Sequence, residues 1–556
     1  MNTQLCTIRI ETLGCRLNQA EAESFAALCV AAGFSLYHTK MVAADTESGA
    51  VQATVPMQAA QTGSCFKPLS TNTNTSSKEI RSLLPAETSK ISAADLAFRP
   101  AFPVSVQFFA PLPPESTVLC FVNTCTVTGK AEQKARRLLR LLAKEHPHAV
   151  ILVTGCYAQL EAAEVEALHP HILAFPGQQK DLLAALPAYL ADLVHTVSDT
   201  DTMLFLSALR TFLTRLAAGA TDDNTADVER AAPRSGIPTA IQQTKGQINP
   251  QPDRQVSQPP LFALSSSRFL FHSRAFLKIQ DGCNAVCAYC RIRLARGKSI
   301  SLPAAEVLAR LRCIEETGIP EVTLSGVNLS QYRSEAGDFA DLLALLLEHS
   351  ALRIRISSLY PDRIDSALIP LLGHPQVCPH FHLSVQSGSD KILKAMHRSY
   401  TRDTVYRAVA ELRRVKDNPF IGVDIITGFP GETEEDFEET YSMCRELNFA
   451  GIHAFPFSAR PGTEAWKMQP KVPERIAGQR VKKLNLLAQE QAAAYLRAWS
   501  GKTVYGVTEA PRNGSHTVIT ENYLSLPLQT AEPLQGGEYI HVLVHGSTAV
   551  LIPKDS

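Results

Sequence analysis

The sequence lacks an excess of charge of either sign, because its 556 residues include 54 Lys and Arg and 54 Asp and Glu. A neutral chain excludes a globally basic nucleic-acid coat and an acidic tail protein, so any contact with RNA must come from a local basic patch. Long hydrophobic runs are missing too, since no stretch approaches the roughly 20 consecutive apolar residues of a membrane helix. The start of the chain shows no basic segment followed by an apolar one, so we expect no secretory signal and a cytoplasmic location.

Repeats of the solenoid kind are also not visible, so the length predicts about three or four ordinary domains. An apolar fraction of 45% fits packed globular domains. The 13 cysteines favour metal or redox chemistry over a disulfide framework in a chain of this length. Seven of them lie in no ligand-spaced group, and we interpret these as small buried apolar residues: positions 6, 29, 65, 120, 313, 378 and 444.

The first part of the chain alternates strand and helix patterns, at residues 6–12, 21–32, 118–123, 130–144, 150–154 and 159–168. This alternation predicts a parallel sheet in an N-terminal α/β domain over residues 1–200. Residues 40–116 interrupt it with a polar run at 70–77, which predicts a disordered insertion. Residues 213–261 contain no Phe, Tyr or Trp, and we assign residues 201–262 to a linker or second insertion.

Six strand-like runs separated by helical patterns follow the linker, at residues 275–280, 321–325, 352–357, 381–386, 421–427 and 451–457. Six β/α units in series predict a partial (β/α)6 barrel over residues 263–499, with its chemistry at the carboxyl ends of the strands. Residues 500–556 change to short strands at 504–507, 516–520, 539–544 and 549–552, which predict a small all-β barrel.

The strongest motif is the cysteine triplet Cys283, Cys287 and Cys290, immediately after the first predicted barrel strand. Three thiolates can hold three irons of a cubane four-iron four-sulfur cluster and leave the fourth iron open. A structural zinc site needs a fourth ligand and usually a second paired motif, and none follows at that spacing. Chance clustering of three buried cysteines is the remaining alternative.

This CxxxCxxC spacing resembles the signature of the radical S-adenosylmethionine enzymes. The resemblance implies that the amino and carboxylate groups of S-adenosylmethionine bind the open iron, and that one-electron reduction produces a 5′-deoxyadenosyl radical. It also implies that Tyr289 helps to seat the adenine of the cofactor, although simple packing of the loop explains this tyrosine equally well.

Three further residues lie at predicted strand ends and are candidates for cofactor contacts. The resemblance implies that Ser325 and Gly326 let the backbone approach the methionine part of S-adenosylmethionine, but a glycine at a strand end is as often only a tight turn. Gln386 could donate a hydrogen bond to the ribose from the barrel mouth, with a satisfied core amide as the alternative.

A second set of cysteines belongs to the N-terminal domain. Cys15, Cys125 and Cys156 each follow a predicted parallel strand and precede a helix. Because the carboxyl ends of parallel strands meet at one edge of a sheet, we expect the three thiols to converge on a ligand site. Three structural cysteines at strand ends are the alternative.

The motifs around these cysteines, TLGCRLNQ, NTCTVT and TGCYAQ, resemble the cluster-binding motifs of the methylthiotransferases. The resemblance implies a second [4Fe–4S] cluster beside the radical one, and a C-terminal barrel of the RNA-binding TRAM type. Further matches occur in the order of the family, at residues 324–328, 355–358, 386–390, 424–433 and 455–463. One departure is the segment RIRLARG at 291–297, where the family usually has an Ile-Pro step.

Two classes of substrate occur within this family, an adenosine of tRNA and an aspartate of a ribosomal protein. GCRLNQ at residues 14–19 is similar to the branch that methylthiolates C2 of N6-threonylcarbamoyladenosine next to the anticodon. The isopentenyladenosine branch and the ribosomal-protein branch remain alternatives. Six basic residues against one acidic residue between 475 and 502 could track phosphates, or form an ordinary solvated helix face.

The partners implied are the anticodon stem-loop of tRNA and a low-potential electron donor such as flavodoxin or ferredoxin, and we expect a monomer. A different class of function remains open, an iron–sulfur protein for electron transfer or sensing without radical chemistry. Reductive cleavage of S-adenosylmethionine to 5′-deoxyadenosine would separate the two.

Overall fold

The computed structural model describes residues 6–39, 50–51, 116–196, 202–218, 262–267, 269–511 and 514–553. Most of the predicted insertion at 40–116 and of the predicted linker at 201–262 lies outside these residues, as does Cys65. In the part of the chain that is described, no helix is both long and apolar enough to cross a membrane.

The N-terminal unit is a six-stranded sheet in the order β3-β2-β1-β4-β5-β6. Every neighbouring pair is parallel except β2 and β3. The strands are β1 Thr7–Thr12, β2 Ser35–Thr39, β3 Ala50–Val51, β4 Thr117–Thr124, β5 Val150–Gly155 and β6 Ile172–Ala174. The helices are α1 Arg16–Ala31, α2 Gly129–Glu145, α3 Cys156–Leu160, α4 Ala162–Glu166, α5 Leu186–Thr196 and α6 Thr202–Ala217.

This unit differs from the predictions at several points. Helix α1 begins at Arg16 rather than at residue 21, because its buried face carries polar side chains that hide the apolar pattern. Strands β2 and β6 and the break between α3 and α4 were not predicted. The assignment of 201–262 to a linker is wrong at its start, where α6 buries Leu206, Leu209 and Leu213 at helical spacing against the N-terminal core.

The central unit contains six parallel strands in chain order, in two three-stranded sheets joined by a bridge between Leu359 and Leu383. These strands are β7 Ala275–Lys278, β10 Glu321–Ser325, β13 Arg353–Ile356, β14 His380–Gln386, β15 Phe420–Thr427 and β16 Gly451–Pro456. Two short antiparallel pairs lie in the connections, β8 Gln280–Asp281 with β9 Ile300–Ser301 and β11 Arg333–Ser334 with β12 Gly337–Asp338.

Helices follow the barrel strands in sequence: α7 Ile292–Arg296, α8 Ala304–Glu315, α9 Phe339–His349, α10 Leu368–Leu372, α11 Asp390–Ala395, α12 Arg402–Val415, α13 Glu434–Leu447 and α14 Glu474–Trp499. Side chains alternate across each strand. In β14, Phe381 and Leu383 join the apolar core under the helices, whereas His380 and His382 lie on the opposite, inner face. The inside of this partial barrel is therefore polar.

The C-terminal unit is a closed barrel in the order β17-β18-β19-β21-β20. Its strands are β17 Thr503–Thr508, β18 His516–Thr520, β19 Ser525–Gln529, β20 Tyr539–His545 and β21 Thr548–Leu551. Strand β19 was not predicted because it contains Pro527, a residue that argues against a strand. The predicted fold class, a parallel α/β unit followed by a partial barrel and a small β-barrel, is confirmed.

Candidate cluster-binding site

The first cysteine triplet occupies the loop after β8, at the carboxyl end of the first barrel strand. Gly282 precedes it with φ +68°, and a Cβ there would lie 1.9 Å from the carbonyl oxygen of Lys298, so only glycine fits. Within the loop, the amide of Cys290 donates to the carbonyl of Cys287 at 3.1 Å. Burial raises the pKa of the Cys283 thiol, and that of Cys290 to about 12.

Arg398 lies beside this triplet and was not singled out in the sequence. Its Nη1 donates to Cys287 Sγ at 3.6 Å, and its Nη2 donates to the carbonyl of Ser384 at 3.2 Å. Its guanidinium lies 4.6 Å from the ring centre of Tyr360 and 6.0 Å from that of Tyr289. A fixed cation at this point favours anionic sulfur. The chain from Cys287 to Arg398 spans 111 residues, so no local pattern could reveal the pair.

The four predicted cofactor residues occupy the same end of the barrel. Tyr289 is half-buried and meets Phe429 edge to face at 6.4 Å. Gln386 ends β14 in the left-handed region with φ +71°, a strained backbone that is typical of functional sites. Ser325 carries a buried hydroxyl without a partner among the described residues. A Cβ at Gly326 would lie 2.9 Å from Gln280 Oε1, so the packing of this side chain already requires a glycine here.

The second cysteine set converges as predicted at the carboxyl ends of the adjacent strands β1, β4 and β5. Gly14 has φ +128°, and a Cβ there would lie 2.7 Å from Cys125 Cβ, which places the Cys15 loop directly against Cys125. Burial, together with the neighbouring Cys15 and Cys156 thiols, raises the pKa of Cys125 to about 12. Burial also raises the pKa of Cys156.

Both sets of thiols fit cubane clusters in their chemistry. Among the described residues, no three Cys, His, Asp or Glu side chains form a ready ligand set for one metal ion. A cubane differs from such a site because the three thiolates bind three different irons and not a single ion. Buried thiols with raised pKa values resist ionisation on their own, and iron ions would compensate their negative charge.

The other cysteines agree with the interpretation of small apolar residues. Cys6, Cys29, Cys120, Cys378 and Cys444 are buried, and Cys313 is partly exposed. None of the cysteines that the structure describes is in a disulfide.

The two cysteine sets lie on either side of one interface between the N-terminal sheet and the barrel. Arg291, the residue after Cys290, donates to Glu161 Oε1 at 2.7 Å and to Thr126 Oγ1 at 3.4 Å, and Thr126 follows Cys125. Arg460 reaches the same Thr126 hydroxyl at 3.2 Å and pairs with Glu132. The unusual segment 291–297 therefore contributes an ion-pair contact between the two sites.

A second contact at this interface is a buried network of charged groups. Arg296 Nη1 lies 2.9 Å from Asp281 Oδ1 and 3.3 Å from Glu21 Oε1. Lys180 and Lys278 approach the same Glu21 oxygen at 2.8 and 3.2 Å. Burial alone would raise the pKa of Glu21, but the three cations outweigh it and lower this pKa to about 2. Glu21 is thus ionised in the folded protein.

Comparison with known families accounts for both halves of this site. Residues 277–444 match the Radical SAM superfamily, and residues 112–177 match the Uncharacterized protein family UPF0004. A threonylcarbamoyladenosine tRNA methylthiotransferase MtaB of Treponema pallidum is 42% identical over 98% of this chain and 100% of its own length. The chain belongs to the radical S-adenosylmethionine methylthiotransferases, in the MtaB branch.

Other methylthiotransferases are more distant. The protein of the same name from Aquifex aeolicus is 30% identical over 76% of this chain and 90% of its own length. A tRNA-2-methylthio-N(6)-dimethylallyladenosine synthase of Cereibacter sphaeroides is 30% identical over 70% of this chain and 78% of its own length. This synthase, from the isopentenyladenosine branch, is thus similar to the chain at lower identity and over a smaller part of it than the Treponema protein.

The predicted basic surface on α14 needs a correction. Arg480 is buried and pairs with Glu432 at 2.5 Å and with Glu434 at 3.0 Å, so it cannot contact RNA phosphates. Lys483 lies 3.6 Å from Glu434 as well. The sequence pattern does not reveal these ion pairs, because the acidic partners come from another part of the chain.

Proposed function

We propose that this methylthiotransferase adds a methylthio group to C2 of N6-threonylcarbamoyladenosine in tRNA, next to the anticodon. The observation that supports this choice of substrate is the 42% identity to the Treponema MtaB protein along almost the whole chain. Support for the chemistry comes from two sets of three cysteines on facing sides of one interface, each at the carboxyl ends of parallel strands.

In this proposal Cys283, Cys287 and Cys290 bind one [4Fe–4S] cluster, and Cys15, Cys125 and Cys156 bind the other. When bound, S-adenosylmethionine would supply the methyl group and, after one-electron reduction, the radical that removes hydrogen from the adenine. We assign Tyr289, Ser325, Gly326 and Gln386 to its binding. The unpartnered Ser325 hydroxyl and the strained Gln386 backbone support this assignment.

The partners proposed are the anticodon stem-loop of tRNA and a low-potential donor such as flavodoxin or ferredoxin, with the enzyme as a cytoplasmic monomer. The C-terminal barrel offers a surface suited to RNA. Tyr505 is 44% exposed, and its ring stacks on Tyr539 at 5.2 Å and on His541 at 4.5 Å. Stacked aromatic rings of this kind accept bases of any sequence.

Nucleoside mass spectrometry of tRNA tests the proposed function. Cells without this gene should accumulate N6-threonylcarbamoyladenosine and lose its 2-methylthio derivative, while 2-methylthio-isopentenyladenosine stays unchanged. Complementation with the wild-type gene should restore the product, and the Cys283→Ala variant should not. Loss of the isopentenyl product instead would assign the enzyme to the other tRNA branch.

A further inference from the structure

Arg16, the residue after Cys15, lies next to the polar inner face of the barrel. Its Nη2 donates to the hydroxyl of Tyr523 at 2.6 Å, and the Tyr523 ring lies against that of the inner-face residue His380, with ring centres 4.1 Å apart and a tilt of 40°. The charge of Arg16 also acts on His453, another inner-face residue: burial lowers the pKa of His453, the neighbouring His382 and Arg16 lower it too, and Asp424 opposes them. The Arg16 guanidinium therefore places a positive charge at the inner face of the barrel, next to the loop that carries Cys15.

Tyr523 is held firmly in the position that fixes Arg16. It belongs to the turn between β18 and β19 and has φ +65°, a left-handed conformation that is strained for a tyrosine. Arg355 stabilises this turn by donating to the carbonyls of Thr520 at 3.2 Å and Glu521 at 3.1 Å. A strained residue persists only where its surroundings determine it, so the hydroxyl of Tyr523 is a rigid support.

Arg16 has no acidic partner among the residues that the structure describes. Arg355 also lies over the Tyr523 ring, but its charge is already paired. It donates to both carboxylate oxygens of Glu321, at 2.7 and 2.8 Å. Asp424, the carboxylate on the inner face of β15, lies 3.2 Å from His382 Nε2. Ser358 Oγ and His382 Nδ1 are 2.8 Å apart, which completes this chain of contacts. The Arg16 guanidinium thus has N–H donors available for an anionic ligand.

We infer that Arg16 determines substrate specificity by binding the free carboxylate of the threonylcarbamoyl group, and this inference rests on the proposed function. The threonine joins the adenosine through its amino nitrogen, so its carboxyl group stays free and ionised near neutral pH. Guanidinium groups bind carboxylates through two parallel hydrogen bonds. Because Arg16 directly follows Cys15, it places this contact beside the thiols that we assign to the second cluster.

The same contact would reject the alternative nucleoside. A dimethylallyl group is apolar and cannot accept a hydrogen bond, so it would leave a guanidinium desolvated and unpaired. Sites built around a charged group discriminate strongly against analogues that lack its partner. Arg16 thus accounts for selectivity between two substrates that differ only in the N6 substituent.

Binding of anticodon stem-loops to the reconstituted holoenzyme tests this inference without turnover. Three RNAs of one sequence would carry N6-threonylcarbamoyladenosine, its methyl ester or N6-dimethylallyladenosine, and Kd would be measured without reductant. We expect the wild type to bind the acid about 10- to 100-fold more tightly than the ester. The Arg16→Gln variant should bind acid and ester equally, with the ester Kd unchanged. Arg16→Lys should retain part of the preference.

The exposed Arg293 provides the matched control. It lies near the other cysteine triplet, and its replacement by Gln removes the same charge as Arg16→Gln. Arg293→Gln should leave the ratio of acid to ester unchanged. Equal binding of acid and ester by the wild type, or an unchanged ratio in Arg16→Gln, would overturn the inference. If Arg16→Gln loses iron, the Tyr523→Phe variant provides the test instead. Its preference for the acid over the ester should fall several-fold, because Arg16 loses its support. An unchanged preference would contradict the role of Arg16.

Turnover separates this inference from the proposed function. A wild-type enzyme that methylthiolates acid and ester equally well keeps its function and refutes the role of Arg16. An enzyme that makes no 2-methylthio product on any of the RNAs refutes the function itself.

Discussion

Arg296 Nη2 donates a hydrogen bond of 2.7 Å to Asn18 Oδ1, across 278 residues of sequence. The same oxygen lies 3.4 Å from Cys15 Sγ, and Asn18 Nδ2 donates to the carbonyls of Leu13 and Thr124. One amide therefore fixes the loops that carry Cys15 and Cys125 and ties them to the segment that follows the other cysteine triplet. The relative position of the two cysteine sets depends on this contact.

The first prediction concerns the stability of this interface. Arg296→Met should lower the free energy of unfolding by about 3–5 kcal/mol, because Asn18, Glu21 and Asp281 lose a buried charged donor. Arg293→Met in the same short helix should change it by less than about 0.5 kcal/mol, since Arg293 is exposed. Urea unfolding of the iron-free proteins measures both, and equal midpoints for the two variants would contradict the proposed importance of the network.

A second prediction is a pH dependence that originates at Glu21. Its folded pKa of about 2 lies below its ordinary value, so its contribution to stability is full above about pH 5. That contribution should disappear as the pH falls towards 2, with a total on the order of 3 kcal/mol. Glu21→Gln should be less stable than the wild type at pH 7, and the difference should shrink in acid. A difference that stays constant from pH 7 to pH 3 would exclude this origin.

The barrel could be predicted from the sequence because its signals are local. All six strand predictions lie within about two residues of the observed strands, since each strand is a short run with its own periodicity. The convergence of Cys15, Cys125 and Cys156 could likewise be predicted, from their positions after parallel strands.

The contacts that join the domains could not be predicted. Glu21 appears as an ordinary helix residue, and its partners Lys278 and Arg296 lie more than 250 positions away. Arg398 and Arg16 are similar cases, because a pattern shows that a residue is charged but not which distant group it meets. Helix α6 was assigned to a linker for a related reason: its leucines become a core face only against the N-terminal core.

A third prediction concerns Arg398 and the first cluster. Arg398→Met removes a cation 3.6 Å from Cys287 Sγ, which should favour the oxidised cluster and lower its reduction potential by about 60 mV. Arg398→Lys keeps the charge and should shift the potential much less. Redox titration followed by electron paramagnetic resonance measures the shift, with iron content as the control. Identical potentials in the wild type and the Met variant would rule out this role.

The last prediction separates the two clusters by function. The triple variant Cys15→Ala, Cys125→Ala and Cys156→Ala should lose about half of its iron, since in our proposal each set binds one of two equal clusters. The thiols of Cys283, Cys287 and Cys290 remain, so reductive cleavage of S-adenosylmethionine to 5′-deoxyadenosine should continue. No 2-methylthio nucleoside should form on the RNA.

A matched variant makes this comparison sharper. Cys29→Ala and Cys120→Ala remove buried thiols from the same N-terminal unit and should leave iron content and product unchanged apart from a loss of stability. Chromatography of 5′-deoxyadenosine and mass spectrometry of the digested RNA read both reactions in one sample. Normal amounts of 2-methylthio product in the triple variant would mean that sulfur transfer does not require the N-terminal thiols. Because the residues that flank the two cysteine sets meet at one interface, loss of only the methylthio product is the result that our assignment requires.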